Sequence, residues 1–586
     1  MKYSLTWDLD SIFPGGSTSP LLLEAIEKVR QQIETLLSQW ETIEMQTFID
    51  EYQEIQLSLT DIKSHITCLC SQDVTDSNAE VLSANFQTID SKNEVISSRL
   101  NTRLFSLDDE GFNALLAAEV NEPIRFNLEE RRKKGAKQLT PEVESLVSSL
   151  NIDGYHGWAQ MFDSLMGSIE IPFNGKKYSF GQIENLTSDP DRSVRREVFE
   201  SITKAFEEKK GLFAQTLNHL AGYRLNLFKA RGYENILDEP LENNRMQHET
   251  LAAMWSVIEN NLGSLTAFLT RKAELMGLEK LAWYDLEAQL YASDTSSVSY
   301  EEAVETILNC FSKELPKLAA FSEHALEQGW VEAENRPGKR PGGFCSGLPA
   351  CQESRIFMTY SGTQANVYTL AHELGHAFHN FVTHPLPEMA QHFRMNVAET
   401  ASVFAENVVM NATLESAKDD QAKIKLLDDQ LSRALTFLLN IRARYLFEFS
   451  FYQARKKGYV SELRLSELMQ DAQMKAYDNM LSVYHPNFWA AKLHFFFSKI
   501  SFYNFPYTFG FLFSNGIYEM RNTFEDFESK YISLLEDTGC MSVESLAKKH
   551  LGVDLTKPEF WEKSLAPVLR NIAKFTELTE NISSRV

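Results

Sequence analysis

Residues 372–376, His-Glu-Leu-Gly-His, carry the clearest chemical signal in the sequence. The preceding residues contain no proline and enough apolar side chains for a buried helix, on which His372 and His376 share one face about 6 Å apart along the axis. Two such imidazoles can bind one zinc ion, while Glu373 lies beside the ion as a general base. Glu373 would take a proton from a water whose pKa the zinc lowers to about 7, then return it to a leaving amine. The pattern predicts metal-assisted hydrolysis of an amide bond.

A catalytic zinc commonly takes three protein ligands and keeps one position open, so a third ligand must lie elsewhere in the chain. His379 lies on the same helical face as His372, but about 10 Å along the axis, too far for all three rings to close on one ion. Glu399 lies in the segment AETASVFAE, far enough downstream to belong to a second helix. If that helix crosses the HExxH helix, Glu399 can offer its carboxylate to the ion. We therefore predict one zinc ion bound by two histidines and Glu399, with His379 outside the ligand set.

Glu406 lies two helical turns after Glu399 on the same face. A carboxylate there could orient a metal-bound histidine through the free nitrogen of its ring. The alternative is an ordinary surface carboxylate.

A second segment with chemical potential, residues 489–518, is too aromatic for a solvent-exposed face and contains His494, Tyr503 and Tyr507. During amide hydrolysis negative charge develops on the former carbonyl oxygen, and histidine or tyrosine donors in a dry site stabilise it. The competing interpretation is packing, because aromatic stripes usually fill protein interiors.

Several local patterns indicate the elements that position these residues. Ser19-Pro20 begins an amphipathic helix, and helical periodicity continues through most of the chain. Asn174-Gly175 lies between short alternating segments and predicts a β-hairpin. Residues 336–349, dense in glycine and proline, predict a loop, and residues 354–360 predict an edge strand that could pair with an extended peptide. The predicted fold class is mostly α with a small β-sheet next to the HExxH helix.

Composition narrows the class of function. The 586 residues carry a net charge of −24, which disfavours nucleic acid and anionic membranes as partners. The start lacks an apolar run of signal-peptide length, and no stretch of about 18 apolar residues could span a bilayer, so we expect a cytoplasmic protein. Six cysteines in so long a chain indicate reduced thiols.

The motifs together resemble the oligoendopeptidase F group of the M3 metallopeptidases. The resemblance rests on HELGHAFH, AETASVFAE, the WDLDSIFP start and the aromatic segment around residues 494–514. It implies zinc ligands at His372, His376 and Glu399, the base at Glu373, and substrate contacts at His494, Tyr503 and Tyr507. It also implies a helical two-part shell around a deep active-site channel that admits short unfolded peptides.

We expect three regions: an N-terminal helical region (1–115), a helical segment with a small β-hairpin (116–190) and a zinc peptidase catalytic domain (191–586). The expected function is a zinc-dependent endopeptidase that hydrolyses internal bonds of oligopeptides. Two alternatives remain open at this point. One is a zinc exopeptidase, although the sequence lacks a GxMEN-type anchor for a peptide amino terminus. The other is a peptide-binding or scaffold protein with an inherited metal site, although such a protein has no use for Glu373.

Overall fold

The computed structural model describes residues 2–291 and 297–582, and helices dominate them. The strands in these residues form two small sheets, which confirms the predicted mostly helical fold class. The chain divides into two compact units. Unit 1 consists of residues 1–138, 296–412 and 520–553, and unit 2 consists of residues 139–295, 413–519 and 554–586.

The elements alternate between the two units along the chain. Unit 1 begins with five helices, α1 (Pro20–Gln39), α2 (Met45–Gln72), α3 (Ser77–Ser106), α4 (Asp109–Ala117) and α5 (Arg125–Lys137). Unit 2 follows with α6 (Pro141–Asn151), α7 (Gly157–Gly167), β1 (Ile171–Phe173), β2 (Lys176–Tyr178), α8 (Phe180–Glu184), α9 (Arg192–Ala230), α10 (Asp238–Asn243), α11 (His248–Asn260) and α12 (Leu262–Leu275).

The chain then returns to unit 1 with α13 (Tyr300–Glu314), α14 (Pro316–Glu327), β3 (Val331–Glu332), β4 (Phe344–Leu348), β5 (Glu353–Phe357), α15 (Gln364–Thr383), α16 (Glu388–Gln391) and α17 (Met395–Ser416). The remaining helices of unit 2 are α18 (Asp420–Leu435), α19 (Ile441–Arg455), α20 (Glu462–Ala476), α21 (Phe488–Ala491) and α22 (Phe505–Met520). Unit 1 ends with α23 (Phe527–Asp537) and α24 (Val543–Leu551), and α25 (Pro558–Thr579) completes unit 2.

The local signals for α1 and for the hairpin are confirmed. The Ser19 hydroxyl accepts a hydrogen bond from the Leu22 amide at 3.3 Å, so it caps α1, and Pro20 occupies the first helical position. Strands β1 and β2 pair antiparallel, with Asn174 at φ 48° and Gly175 at φ 73° between them. Positive φ at both central residues is the signature of a type I′ turn, for which Asn-Gly is the preferred pair.

Two expectations about the sheet of unit 1 are wrong. Residues 336–349 are not a continuous loop, because their second half forms β4. Strand β5 is not an edge strand, because it lies between β3, with which it pairs parallel, and β4, with which it pairs antiparallel. The β-favouring residues 354–357 therefore fill the centre of a three-stranded sheet and cannot add a peptide at either edge.

The core of unit 1 joins this sheet to the amino-terminal helices. Its buried side chains come mainly from α1, α2 and α3 and include Phe357 of β5. Through the described residues, no helix has both the length and the apolar character needed to cross a membrane. All six cysteines are free thiols in this structure.

Candidate functional site

Helix α15 carries the HExxH motif, and the sheet of unit 1 fixes its position. Thr363 caps the helix through a reciprocal pair of hydrogen bonds with Asn366. At its other end, the amide of Asn380 donates to the Ser354 hydroxyl of β5 at 3.2 Å. The predicted neighbourhood of sheet and motif helix is thus confirmed, and β4 and β5 pack directly against the helix.

The two motif histidines and Glu399 converge on one point. The ring centroids of His372 and His376 are 4.8 Å apart. A single oxygen of Glu399, Oε2, lies 3.3 Å from Nε2 of His372 and 3.7 Å from Nε2 of His376. Within the described residues these three side chains form the group able to hold a metal ion, with their ligand atoms within 4.8 Å of one another. Two imidazole nitrogens and one carboxylate are the donor set typical of catalytic zinc.

Gly375 brings the two helices of the site together. A Cβ atom on this residue would lie 2.6 Å from the carbonyl oxygen of Ala401 and 2.8 Å from Cα of Ser402 on α17. Real Cβ atoms do not approach backbone that closely, so the crossing of α15 and α17 requires glycine here. Sequence reasoning assigned no role to Gly375, although its missing side chain allows α17 and Glu399 to come close to the histidines.

Two further side chains hold the candidate ligands. The Ser402 hydroxyl donates to Oε2 of Glu399 at 2.9 Å. Oε2 of Glu406, a side chain only 2% exposed, lies 3.3 Å from Nδ1 of His372. Glu406 is therefore not the surface carboxylate of the alternative interpretation, since it is buried against the ring nitrogen that faces away from Glu399.

The pKa values of the two motif histidines shift in opposite directions. Burial opposes the charged form of His372, but the hydrogen bond with Glu406 and the charges of Glu399 and Glu373 together raise its pKa. Burial lowers the pKa of His376 to about 4, which keeps that ring neutral and able to bind a metal.

Glu373 has the environment of a base poised near neutrality. Burial raises the pKa of Glu373 to about 7, and the charges of Glu399 and Glu406 act in the same direction. Its side chain is 6% exposed, and its Oε2 has no hydrogen-bond partner among the described residues. A carboxyl group with such a pKa can both accept and release a proton at neutral pH.

His379 lies apart from the group of three. Its ring is fully buried and stacks on Phe393 at a centroid distance of 3.8 Å. Its Nε2 is 2.8 Å from the Thr538 hydroxyl, which itself donates to a backbone carbonyl. His379 thus packs within unit 1, and its place outside the ligand set stays a prediction.

In unit 2, the structure brings together the second predicted set of residues. The His494 ring lies 5.4 Å from that of Tyr503 and 6.3 Å from that of Tyr507, and the two tyrosine rings are 5.7 Å apart. All three side chains are partly exposed, whereas Phe502 and Phe505 beside them are buried. The buried phenylalanines fit the packing interpretation, and a substrate contact at His494, Tyr503 and Tyr507 stays a prediction.

Two buried charged residues, which sequence reasoning did not assign to the site, hold the loop that carries Tyr503. The guanidinium of Arg224 on α9 donates to the carbonyl oxygens of Phe497 at 2.7 Å and Ile500 at 3.2 Å. Oε1 of Glu448 on α19 accepts the Phe502 amide at 2.8 Å. No local pattern could have identified this pair, because both lie far from the loop in sequence.

The same loop stores backbone strain next to Tyr503. Phe502 has φ 51°, a left-handed conformation that a large side chain adopts only under constraint. The hydrogen bond to Glu448 and the complete burial of the Phe502 ring provide that constraint. The orientation of Tyr503 therefore depends on Glu448.

Comparison with known families identifies relatives over most of the chain. The profile of peptidase family M3 matches residues 185–567, and that of oligopeptidase F matches residues 103–170. An oligoendopeptidase F homolog of Lactococcus lactis is 25% identical over 68% of this chain. The group B oligopeptidase PepB of Streptococcus agalactiae is 26% identical over 65%, and the oligopeptidase PepF of Bacillus subtilis is 24% identical over 52%. The chain spans 66%, 63% and 46% of these three relatives, less than two thirds of each.

Solved structures share the fold across nearly the whole chain. A candidate peptidase from Chlamydophila abortus has a TM-score of 0.81 at 20% identity, with 98% of each chain covered. The oligoendopeptidase F of Enterococcus faecium has a TM-score of 0.68 at 20% identity, covering 95% of this chain and 97% of that one. At such identities the likeness establishes the fold and carries no further detail.

Proposed function

Because the chain belongs to peptidase family M3, we propose that it is a zinc-dependent endopeptidase that hydrolyses internal bonds of short, unfolded oligopeptides. The membership agrees with the predicted class of enzyme, a metallo-oligopeptidase. One observation carries the finer proposal: His372, His376 and Glu399 converge on one point, with Glu373 buried beside them.

The donor set fits one zinc ion. Its two imidazole nitrogens and one carboxylate oxygen match the ligands of catalytic zinc in peptidases. Bound there, zinc would supply Lewis-acid polarisation of the scissile carbonyl and a lowered pKa for the attacking water. The Glu406 carboxylate would hold the His372 ring through Nδ1, which fixes the direction in which Nε2 points.

Glu373 is the proposed general base. Its carboxylate takes a proton from the attacking water as the new C–O bond forms, and delivers that proton to the nitrogen of the leaving amine as the C–N bond breaks. Burial raises the pKa of Glu373, which makes its carboxylate a better proton acceptor than an exposed glutamate.

His494, Tyr503 and Tyr507 are the proposed donors to the carbonyl oxygen as negative charge develops on it. Burial lowers the pKa of His494 to about 4, so its imidazole is neutral at pH 7 and carries one N–H. Nδ1 of His494 is buried and has no hydrogen-bond partner among the described residues. The tyrosine hydroxyls supply further donors of the same kind.

Mass spectrometry of peptide products tests this proposal. End-blocked peptides of graded length are incubated with zinc-loaded wild-type protein and with Glu373→Gln. We expect internal cuts in the short peptides and a fall in rate of about 10²–10⁴-fold in the variant, with its zinc retained. Cleavage only of peptides with a free terminus would indicate an exopeptidase. Binding without any cleavage by the zinc-loaded wild type would indicate the peptide-binding alternative.

A further inference from the structure

Among the residues that the structure describes, Arg444 on α19 is a partly buried cation without a carboxylate ion pair. Its Nε donates to the Asn440 side chain at 2.8 Å, and its Nη1 to the Asn504 side chain at 3.4 Å. Both acceptors are neutral amide oxygens, and Arg444 forms no ion pair within residues 2–291 and 297–582. Burial lowers the pKa of Arg444 to about 10, so it remains charged at neutral pH. Keeping a charge partly out of water without a counter-charge is costly.

Lys492 lies in the same part of unit 2. The Lys492 ammonium lies 5.1 Å from the centroid of the Phe488 ring, and the Arg444 guanidinium lies 5.3 Å from it. Both cations therefore make a cation–π contact with this ring. Burial lowers the pKa of Lys492, and the positive charge of Arg444 lowers it further. Two cations near one ring repel each other, and an anion close to both would offset that repulsion.

Two acidic groups, Glu184 and Glu287, face these cations. Glu184 lies 3.4 Å from the Lys492 ammonium, but its side chain is 47% exposed, so water screens the pair. Glu287 acts on both cations electrostatically and forms no ion pair with either in the part of the chain that the structure describes. The two cations also act on His494, whose pKa is lowered first by burial and then by Arg444 and Lys492.

We propose that Arg444 and Lys492 form an anion-binding subsite of unit 2 that holds a carboxylate group of the peptide substrate beside His494. The inference rests on the proposed function, which makes His494 a substrate contact. A peptide offers a carboxylate in two places, at its carboxyl terminus and on aspartate or glutamate side chains. The planar guanidinium of Arg444 suits a carboxylate of either source, because it can present two N–H groups to the two oxygens.

The subsite opposes the charge of the rest of the protein. With a net charge of −24, the chain repels acidic peptides at long range and attracts basic ones. The Arg444–Lys492 pair would attract a negative charge, but only at the one position of the bound peptide that lies beside it. The subsite would thus select where a carboxylate lies within the peptide, and through that position it would select which bond is cleaved.

Paired peptides test the subsite with the full-length, zinc-loaded protein. One pair differs only in a free carboxyl terminus against a carboxamide, and another only in an internal glutamate against glutamine. We expect kcat/KM of the wild type to be at least about 10-fold higher for the carboxylate member of one pair, mainly through KM. The pair that shows the difference identifies the source of the carboxylate.

Substitutions then assign the preference to its residues. Arg444→Gln should abolish the preference, and Arg444→Lys should keep part of it because the charge remains. The matched control is Arg464→Gln, which removes an exposed arginine of unit 2 that pairs with Glu467, and this variant should keep the full preference. If Arg444→Gln cleaves no peptide at all, the test uses Lys492→Gln in its place. This variant keeps the hydrogen bond between Arg444 and Asn504 and should reduce the preference for the carboxylate peptide.

Two results would contradict the proposed anion-binding subsite. One is equal kcat/KM for both members of each pair in the wild type. The other is an unchanged preference in Arg444→Gln and Lys492→Gln. Failure of the proposed function is a different result, in which the zinc-loaded wild type cleaves neither member of any pair.

Discussion

The candidate metal centre of unit 1 and the His494 cluster of unit 2 are built in different ways. His372, His376 and Glu399 lie on two regular helices, whose periodicity sets their spacing, and the close crossing at Gly375 sets their separation. The His494 cluster instead depends on a strained loop, which donates a hydrogen bond to Glu448 of α19 and accepts hydrogen bonds from Arg224 of α9. One region is positioned by local geometry and the other by long-range contacts.

Because the two regions are built differently, different substitutions should damage them. A metal centre on packed helices is damaged by removing a ligand or by adding volume at the crossing. A loop with a left-handed phenylalanine is damaged by removing the contacts that hold it, because nothing in its own sequence favours that conformation.

The largest expected effect is the loss of the third ligand. Glu399→Ala should release zinc during dialysis and lower turnover by more than about 100-fold, beyond the about 10–100-fold typical of residues that only support a ligand. Metal analysis by mass spectrometry and a peptide cleavage assay check this. Glu415→Ala, at an exposed carboxylate of the same helix, is the control and should keep both zinc and activity. Full zinc occupancy in Glu399→Ala would require a different third ligand.

A smaller effect is expected at the helix crossing. Gly375→Ala places a methyl group 2.6 Å from a backbone oxygen, so α15 and α17 must separate. We expect a loss of unfolding free energy of about 3 kcal/mol, with weaker zinc binding. Gly263→Ala, at a helical glycine with open space around it, is the control and should be neutral or slightly stabilising. Equal stability of the two variants would contradict the close crossing.

The smallest effect is a pH dependence in unit 2. Burial raises the pKa of Glu448 from 4.5 to about 7, so the folded protein binds a proton that the unfolded chain releases between these values. Wild-type stability therefore falls as pH rises through this window, and the neutral side chain of Glu448→Gln removes that fall. We expect the variant to gain about 1–3 kcal/mol relative to wild type between pH 4.5 and pH 7. Denaturant unfolding at several pH values measures the unfolding free energy of both proteins. A difference between them that does not change with pH would contradict the raised pKa of Glu448.

The sequence predicted the features that depend on neighbouring residues. The hairpin at Asn174-Gly175 follows from backbone preference, and the cap at Ser19 follows from a side chain that satisfies an exposed amide. The placement of His372 and His376 follows from the helical period. Each of these features is decided within one or two turns of the chain.

Features decided by distant partners were missed. Strand β5 was expected at an edge, but β3 and β4 cover both sides of it, and sheet order depends on elements that no local pattern specifies. The roles of Arg224 and Glu448 become visible only when α9 and α19 are placed beside the loop that they hold. The need for glycine at position 375 becomes visible only when α17 is packed against α15.

A crystal structure of the zinc-loaded protein, with an anomalous difference map at the zinc edge, tests the central claim most directly. The account predicts one peak bound by Nε2 of His372, Nε2 of His376 and the carboxylate of Glu399, with Glu373 beside the ion and not bound to it. A peak coordinated by His379 in place of Glu399, or no peak at these residues in an active preparation, would contradict it.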